Sequence, residues 1–451
     1  MFTKITNTIE NEAEAEEVKR PSAQRAEGAA EREGRAGRPL VSYEVCNPHP
    51  EQHKCKPSKR EKRKLRYQRR HEAQQRAYGS FAADREMMRA SGMEEQADSM
   101  KLPRTFWCGH KAKPGTQYVE VRRDGENGHA HVSNVQYCGS VWQCPVCGAI
   151  IRNQRAQEIT EAIVKSQEQG MGAYFITCTV RHHKGDDLKT LLRVLSDAYR
   201  DMINGSQYRK VKEAHRLDGY IKSLEITVGE NGFHPHNHVL MFTEGKATEE
   251  GAKQLQSFLL ERWKRFVVKH GGEEPNEHGL VVVPVDENAK VLGQYLAKMA
   301  GEDGIALEIA RADLKNGSDA GSLTPFELLD IDTPRARALW AEYCDATKGK
   351  RSVYFSRGLR DRLGMGKEKT DEEIAQELEK VGSLEVVIDA DSYEAAIDRD
   401  CAAVPTILDL VEEKRFVDLA SYLNCELTET VIPDRMTGEL VKCRVLNRVR
   451  R

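Results

Sequence analysis

The sequence predicts an α+β fold. At its centre is a split β-α-β-β-α-β unit of the ferredoxin-like type over residues 151–305, preceded by a cysteine-rich segment at 105–150 and followed by a block at 306–375 and a small, mainly helical tail at 376–451. Three observations carry this. Between 173 and 285 the apolar period switches between two and 3.6 in the order strand, helix, strand, strand, helix, strand. A Gly229-Glu230-Asn231-Gly232 turn joins the middle two strands as a hairpin. Four cysteines gather just ahead of the first strand.

Taken in order, residues 1–100 are rich in Ala, Glu, Arg and Gln and poor in aromatic and β-branched types, which predicts a largely disordered arm with some helix between about 58 and 90. Residues 54–70 (KCKPSKREKRKLRYQRR) carry ten Lys or Arg against the single acid Glu61. That run is either a solvated helix face or a sequence-independent grip on phosphates. YFITCTV at 174–180 is β-branched and aromatic, hence a strand, and 186–203 repeats apolar residues at helical spacing. YIKSLEITV (220–228) and HNHVLMF (236–242) are the hairpin strands. Residues 248–268 are helical, LVVVPV (280–285) is a strand, and 287–299 is a helix. In this arrangement the two crossover helices share one sheet face and leave the other open for a site. Further on, Thr370-Asp371-Glu372-Glu373 is a capping box that starts a helix, with short helices at 391–399 and 404–424.

Composition narrows the class. At about 150 residues per domain, 451 residues make two to three domains. No stretch approaches the roughly 18 apolar residues that a membrane-spanning helix needs. The start, MFTKITNTIENEAEAEE, turns acidic where a secretory signal would carry its apolar core, so the expected location is the cytoplasm. The isolated Cys178, Cys344, Cys401, Cys425 and Cys443 then read as reduced thiols. A net charge of −2 excludes a uniformly basic nucleic-acid coat. Charge is instead sorted by segment, with five basic residues in the last ten and acids gathered at 9–17 and 371–400, which favours an anionic partner.

The string GFHPHNHVL (232–240) is the most unusual in the chain. Side chains alternate along a strand, so His234, His236 and His238 face the same way, and three imidazoles on one face call for a metal or acid–base site. If the turn is centred between Glu230 and Asn231, paired residues sum to 461, which sets Glu225 opposite His236 and Ser223 opposite His238. A Glu225–His236–His238 set with open positions suits a divalent ion such as Mg²⁺ or Mn²⁺ that also takes phosphate oxygens. A one-residue bulge would turn Glu225 to the other face. The bland alternative is three surface histidines, hydrogen-bonded on an edge strand. In the helix that follows, Tyr295 and Lys298 stand at i and i+3 on one face. A phenol beside a base or cation is a nucleophile, and Lys298 can stabilise the charge that develops; a Tyr on an amphipathic helix is otherwise core or rim.

HPHNHVLMF with a downstream YLAK resembles the HUH endonucleases, in particular the rolling-circle replication initiators of small bacterial plasmids. FITCTVRHH (175–183) resembles that family's first motif and SLEIT its glutamate strand. TPFELLD (324–330) and LWAEYCDATKGKRSVYFSRGL (339–359) resemble its C-terminal blocks, so the likeness covers about 105–375 and makes 306–375 the family's C-terminal block. The resemblance implies His236 and His238 as metal ligands, Tyr295 as nucleophile and Lys298 as its companion. It also implies nicking of plasmid origin DNA to a 5′-phosphotyrosyl link and a 3′-hydroxyl primer, later rejoining, and host helicase and polymerase as partners. Two positions depart from the family pattern: Asn237 stands where a bulky apolar residue is usual, and Val291 where some members carry a terminating glutamate.

Cys108, Cys138, Cys144 and Cys147 resemble the family's cysteine-rich segment. Cys144 and Cys147 form a C-x2-C pair, and the other two can close a tetrahedral Zn²⁺ site, with His110, His129 and His131 as possible substitutes. Incidental thiols are the alternative. Lys350, Arg351 and Arg357, within a basic stretch, are candidates for gripping the DNA backbone or are simply solvated. The competing functional readings are a zinc-stabilised DNA-binding regulator that does not cleave, an HUH transposase or relaxase, and a histidine-triad nucleotide hydrolase.

Overall fold

The computed structural model describes residues 58–125, 128–285, 323–377 and 381–449. Residues 1–57 of the expected arm, and the expected helix at 287–299 with Tyr295 and Lys298, lie outside the described residues.

Helix α1 (Lys59–Ala90) starts at Ser58, whose hydroxyl accepts from the Glu61 amide while Glu61 reaches back to the Ser58 amide. The helix expected at about 58–90 is thus present, and several cations of its basic run are paired within the chain while Lys59 and Lys64 stay exposed. Arg63 pairs with Asp409 and Glu412, Arg69 with Asp330, and Arg76 donates to the carbonyls of Leu328 and Ile331. Composition could not show this, because the acids and carbonyls that satisfy these cations stand more than 250 residues away in the chain.

Strands β1 (Tyr118–Arg123) and β2 (Ala130–Ser133) follow, then helix α2 (Pro145–Glu168), which begins at the cysteine pair with Pro at its first position. The next elements come in the expected order with one helix added, α4: β3 (Met171–Thr179), α3 (Leu188–Met202), α4 (Ser206–Ala214), β4 (Leu217–Gly229), β5 (Gly232–Glu244), α5 (Glu249–Lys269) and β6 (Leu280–Pro284). Helix α6 (Pro334–Thr347) and the short strand β7 (Val353–Phe355) close this part. The sheet runs β6-β3-β5-β4-β7, antiparallel throughout. On one face Ile176, Cys178, Val239 and Met241 pack under α3 and α5, whose Leu195, Leu255, Leu259 and Trp263 are buried there. The other face is open over only part of its length. Ala156, Ile159, Ala162 and Ile163 of α2 cover Ala173, Leu240 and Phe242, leaving the histidine end of β5 uncovered by that helix.

The tail departs from expectation. It comprises β8 (Ser383–Asp389), α7 (Ala390–Arg399), α8 (Ala403–Glu412), α9 (Phe416–Leu423), β9 (Cys425–Pro433) and β10 (Leu440–Arg448), so it is a mixed unit and not a mainly helical one. Its strands join the cysteine-rich segment in a second sheet, β2-β1-β8-β10-β9. Val119, Val121, Val386, Ile388 and Leu446 pack there beneath Tyr393, Ile407 and Leu419. On its opposite face Arg122, 1% exposed, donates to both carboxylate oxygens of Asp434 at 2.6 and 2.7 Å. β9 reads as polar because its residues are mostly exposed, and β8 pairs with a strand some 260 residues earlier; local periodicity carries neither signal. Among the described residues no helix is long and apolar enough to cross a membrane.

Candidate metal centres

The β4–β5 hairpin turns through Glu230 and Asn231, with Gly232 in the left-handed region at φ +93° that glycine adopts without strain. No bulge intervenes between the turn and Ser223, so Glu225 pairs with His236, Ser223 with His238 and Thr227 with His234. On the other side of β5, Thr177 lies opposite His238 and Thr179 opposite His236. One sheet face thus carries a carboxylate and a row of imidazoles, in the register that the turn arithmetic expects.

Glu225 is 2% exposed, and its Oε2 lies 2.9 Å from His236 Nε2 and 2.8 Å from His238 Nε2. A carboxylate this buried needs shared protons or a cation to offset its lost hydration. His238 is steered from behind: its Nδ1 sits 3.3 Å from the Thr177 hydroxyl and its ring stacks on Phe175 at 5.3 Å, which points Nε2 at Glu225. The three ligand atoms lie within 4.8 Å of one another, a span one divalent ion can bridge with positions left over for phosphate oxygens. His236 Nδ1 is buried without a hydrogen-bond partner, so Nε2 is its working nitrogen.

His234 belongs to a second pair. Its Nδ1 is 3.2 Å from His182 Nδ1, and the rings stand 4.8 Å apart. Burial, then the neighbouring His236 and His182, push its pKa down to about 4, so it is neutral near pH 7. Sequence reasoning missed His182. The signal was present in the RHH string at 181–183, but only the fold shows that the first of those two histidines meets His234.

The sulfur group is equally compact. Cys108 Sγ lies 3.7 Å from Cys144 Sγ and 3.4 Å from Cys147 Sγ, and Cys138 Sγ is 3.6 Å from Cys147 Sγ. A tetrahedral ion with metal–sulfur bonds of about 2.3 Å sets sulfurs roughly 3.8 Å apart, so the spacing fits. All four side chains are buried. Gly109 and Gly139 follow Cys108 and Cys138 at φ +62° and +64°, folding the chain back so that backbone amides can approach the sulfurs. The Ser140 amide donates to Cys138 Sγ at 3.4 Å and the Cys147 amide to Cys144 Sγ at 3.5 Å. Hydrogen bonds from Cys108, Cys138 and Cys147 hold the Cys144 thiol well below its ordinary range. Two of the alternative histidines turn elsewhere, His110 to within 3.0 Å of Asp398 and His129 to 3.8 Å from Glu412. Both groups can therefore hold a metal ion, the first through N and O donors and the second through sulfur alone.

Lys350, Arg351 and Arg357 flank β7 at the sheet edge. Val353 of β7 pairs with Ser223, which pairs in turn with His238, so this basic stretch borders the histidine face. Arg351 and Arg357 are exposed, and Lys350 is half-buried with its carbonyl accepting from Trp142 Nε1 at 2.7 Å. Lys350 and Arg351 also line a groove between α1, the turn at 138–143 and α6. Tyr295 and Lys298 lie outside the described residues.

Against known proteins, a family profile described as "Replication protein" matches residues 129–265, a span that takes in three of the four cysteines and the whole hairpin. "Protein rep" of Streptomyces lividans is 32% identical over 301 residues, covering 53% of this chain and 66% of that protein. "Neomycin resistance protein" of Streptomyces cyanogenus is 31% identical over 144 residues, 26% of this chain and 33% of its own. "Protein rep" of a Bacillus species is 33% identical over 129 residues, 28% of this chain and 40% of its own. The chain thus covers between a third and just under two thirds of these relatives. No solved structure matches it.

Proposed function

This chain belongs to the plasmid replication-protein family, and from that premise we propose that it initiates rolling-circle replication by nicking one strand of plasmid origin DNA. The observation that carries the proposal is the Glu225–His236–His238 set on the half of the sheet that α2 leaves uncovered, bordered by basic residues at β7. In this reading the three side chains hold Mg²⁺ or Mn²⁺, which when bound polarises the scissile phosphate. Thr177 and Phe175 keep His238 aimed at that position. Lys350, Arg351 and Arg357 hold the flanking backbone through phosphate contacts, which position a strand without reading its bases.

Following the family resemblance, the Tyr295 phenol attacks the phosphorus. A bond forms between its oxygen and the 5′-phosphate, the bond to the 3′-oxygen breaks, and the phenolic proton ends on that 3′-oxygen. Lys298 offsets the charge on the phenolate. The 3′-hydroxyl is the primer for a host polymerase behind a host helicase, and the phosphotyrosyl link conserves the bond for rejoining. The cysteine group holds Zn²⁺ as a structural ion.

The test is incubation of the protein with labelled origin single strand and Mn²⁺. The expected result is a covalent protein–DNA adduct that disappears in Tyr295→Phe while DNA binding persists. Binding with no adduct under any divalent ion would favour a non-cleaving regulator, and an undiminished adduct in Tyr295→Phe would mean another nucleophile.

A further inference from the structure

Helix α1 is 32 residues long, yet its buried residues are Arg70, Ala73 and Gln74. Ala73 and Tyr67 supply apolar contact to the body, and polar contacts add to it at the cysteine turn. The Gln74 amide donates to the carbonyls of Thr105, Phe106 and Cys108 at 2.9–3.2 Å, which seats the helix on the first cysteine turn. Arg70 is 5% exposed and sits at the same place. Its guanidinium fills the space that a side chain on Gly109 would need: a Cβ built there would lie 2.0 Å from Arg70 Nη1. The same group lies 4.5 Å from the centre of the Tyr67 ring, and its Nε makes no hydrogen bond. The groups that act most on its charge are Tyr67, Cys108, Tyr393 and Cys144, none of them a carboxylate.

A buried cation without a counter-charge is strongly unfavourable. Four neutral thiols do not supply one. Four thiolates around a divalent cation do, because the assembly carries a net charge of −2. We propose that Arg70 is the counter-charge of a metal-bound Cys108–Cys138–Cys144–Cys147 tetrathiolate, so that loading the cluster with a divalent ion tightens the seat of helix α1 on the body. The inference rests on reading the cysteine group as a metal site and is independent of the nicking chemistry. It gives Arg70 of the basic helix a role of its own, as a positioning residue for the metal.

The test uses the full chain with Zn²⁺ as the probe. Zinc affinity is read by competition with a chromogenic chelator in wild type, Arg70→Met and Arg70→Lys, and hydrogen exchange is followed across 59–77 with zinc present and stripped. Arg70→Met should weaken zinc binding about 10–100-fold, as loss of an outer-shell partner does, while Arg70→Lys stays close to wild type. Stripping zinc should speed exchange in α1 at least tenfold while β3 and β5 stay protected. Wild-type affinity in Arg70→Met overturns the counter-charge, as does a Lys variant as weak as the Met variant. Unchanged α1 protection without zinc overturns the docking role. A wild-type protein with no affinity for zinc would instead remove the metal reading of the cysteines. If Arg70→Met does not fold, Arg70→Lys and the exchange of stripped wild type decide.

Discussion

Replacing Glu225 by Gln keeps the shape of a 2%-exposed side chain and removes its charge. The carboxylate is the one anionic donor in the Glu225–His236–His238 set, so the change separates a metal ligand from a merely hydrogen-bonded residue. Outer-shell partners of metal ligands are typically worth 10–100-fold in affinity, and a direct anionic ligand should exceed that. A loss of about 10³-fold, or roughly 4 kcal/mol at 1.36 kcal/mol per tenfold, is expected for Mn²⁺. The same number sets a thermal-shift result. At Mn²⁺ equal to a hundred times the wild-type dissociation constant, the wild type gains about 2.7 kcal/mol of stability. A variant binding 10³-fold more weakly gains only about 0.1 kcal/mol under the same conditions. Calorimetric titration and melting with and without Mn²⁺ give both quantities, with zinc content as a control for the distant cysteine group. Mn²⁺ affinity within threefold of wild type in a folded Glu225→Gln protein would refute the assignment of the ion to this face.

Other consequences can be checked separately. His234 has a folded pKa of about 4, below its unfolded value near 6.5, so the unfolded chain binds the extra proton first. Stability from this group is fully present above about pH 6.5 and is lost as pH falls through 4, with a slope of at most about 1.4 kcal/mol per pH unit. His234→Gln should flatten urea-unfolding stability across that window, and an unchanged pH profile would contradict the burial argument. Asp434→Ala leaves Arg122 buried with only Glu120, 3.4 Å away, to answer it. A cost near the low end of the ~3–5 kcal/mol range for a broken buried pair is expected in denaturant titration. Changing Lys350, Arg351 and Arg357 together to Gln should reduce the salt dependence of single-strand binding by about 2 in the log–log slope, at ~0.7 per phosphate contact. An unaltered slope would mean that these residues do not face the strand.

How much was legible in the sequence depends on how local the signal is. The hairpin register followed from a Gly-bounded turn and a period of two, both contained within twenty residues, and so Glu225 could be set beside His236 before any coordinates. The four cysteines could be grouped by chemistry, although the turns at Gly109 and Gly139 that bring them together could not be read from spacing. Non-local pairing was invisible. β1 finds β8 across some 260 residues, and β9 is mostly exposed, so the tail read as mainly helical. The partners of the basic run were hidden for the same reason. A cluster of cations records a demand for anions, and here Asp330, Asp409 and Glu412 of the same chain meet that of Arg63 and Arg69. His182 lay unassigned because it stands in the loop after β3, where no periodicity connects it to His234.

The two metal-competent groups are joined by a single helix, and this has a thermodynamic consequence. Cys144 caps the start of α2 and Cys147 lies in its first turn, while Ile159 and Ile163 further along cover Leu240 and Phe242. Leu240 and Phe242 continue on β5 the same face that carries His236 and His238. If the sulfur group orders the start of α2, then zinc loading tightens the backing of the strand that carries the histidines. Zinc should therefore raise Mn²⁺ affinity, by about tenfold if the coupling is of the usual 1–3 kcal/mol. Linkage requires Mn²⁺ to raise zinc affinity by the same factor, which gives two independent measurements of one quantity. Titrating Mn²⁺ into zinc-loaded and zinc-stripped protein, and zinc into the protein with and without Mn²⁺, should return matching ratios. A ratio of one in both directions, in protein that remains folded without zinc, would show that α2 is a passive cover and that the two sites act independently.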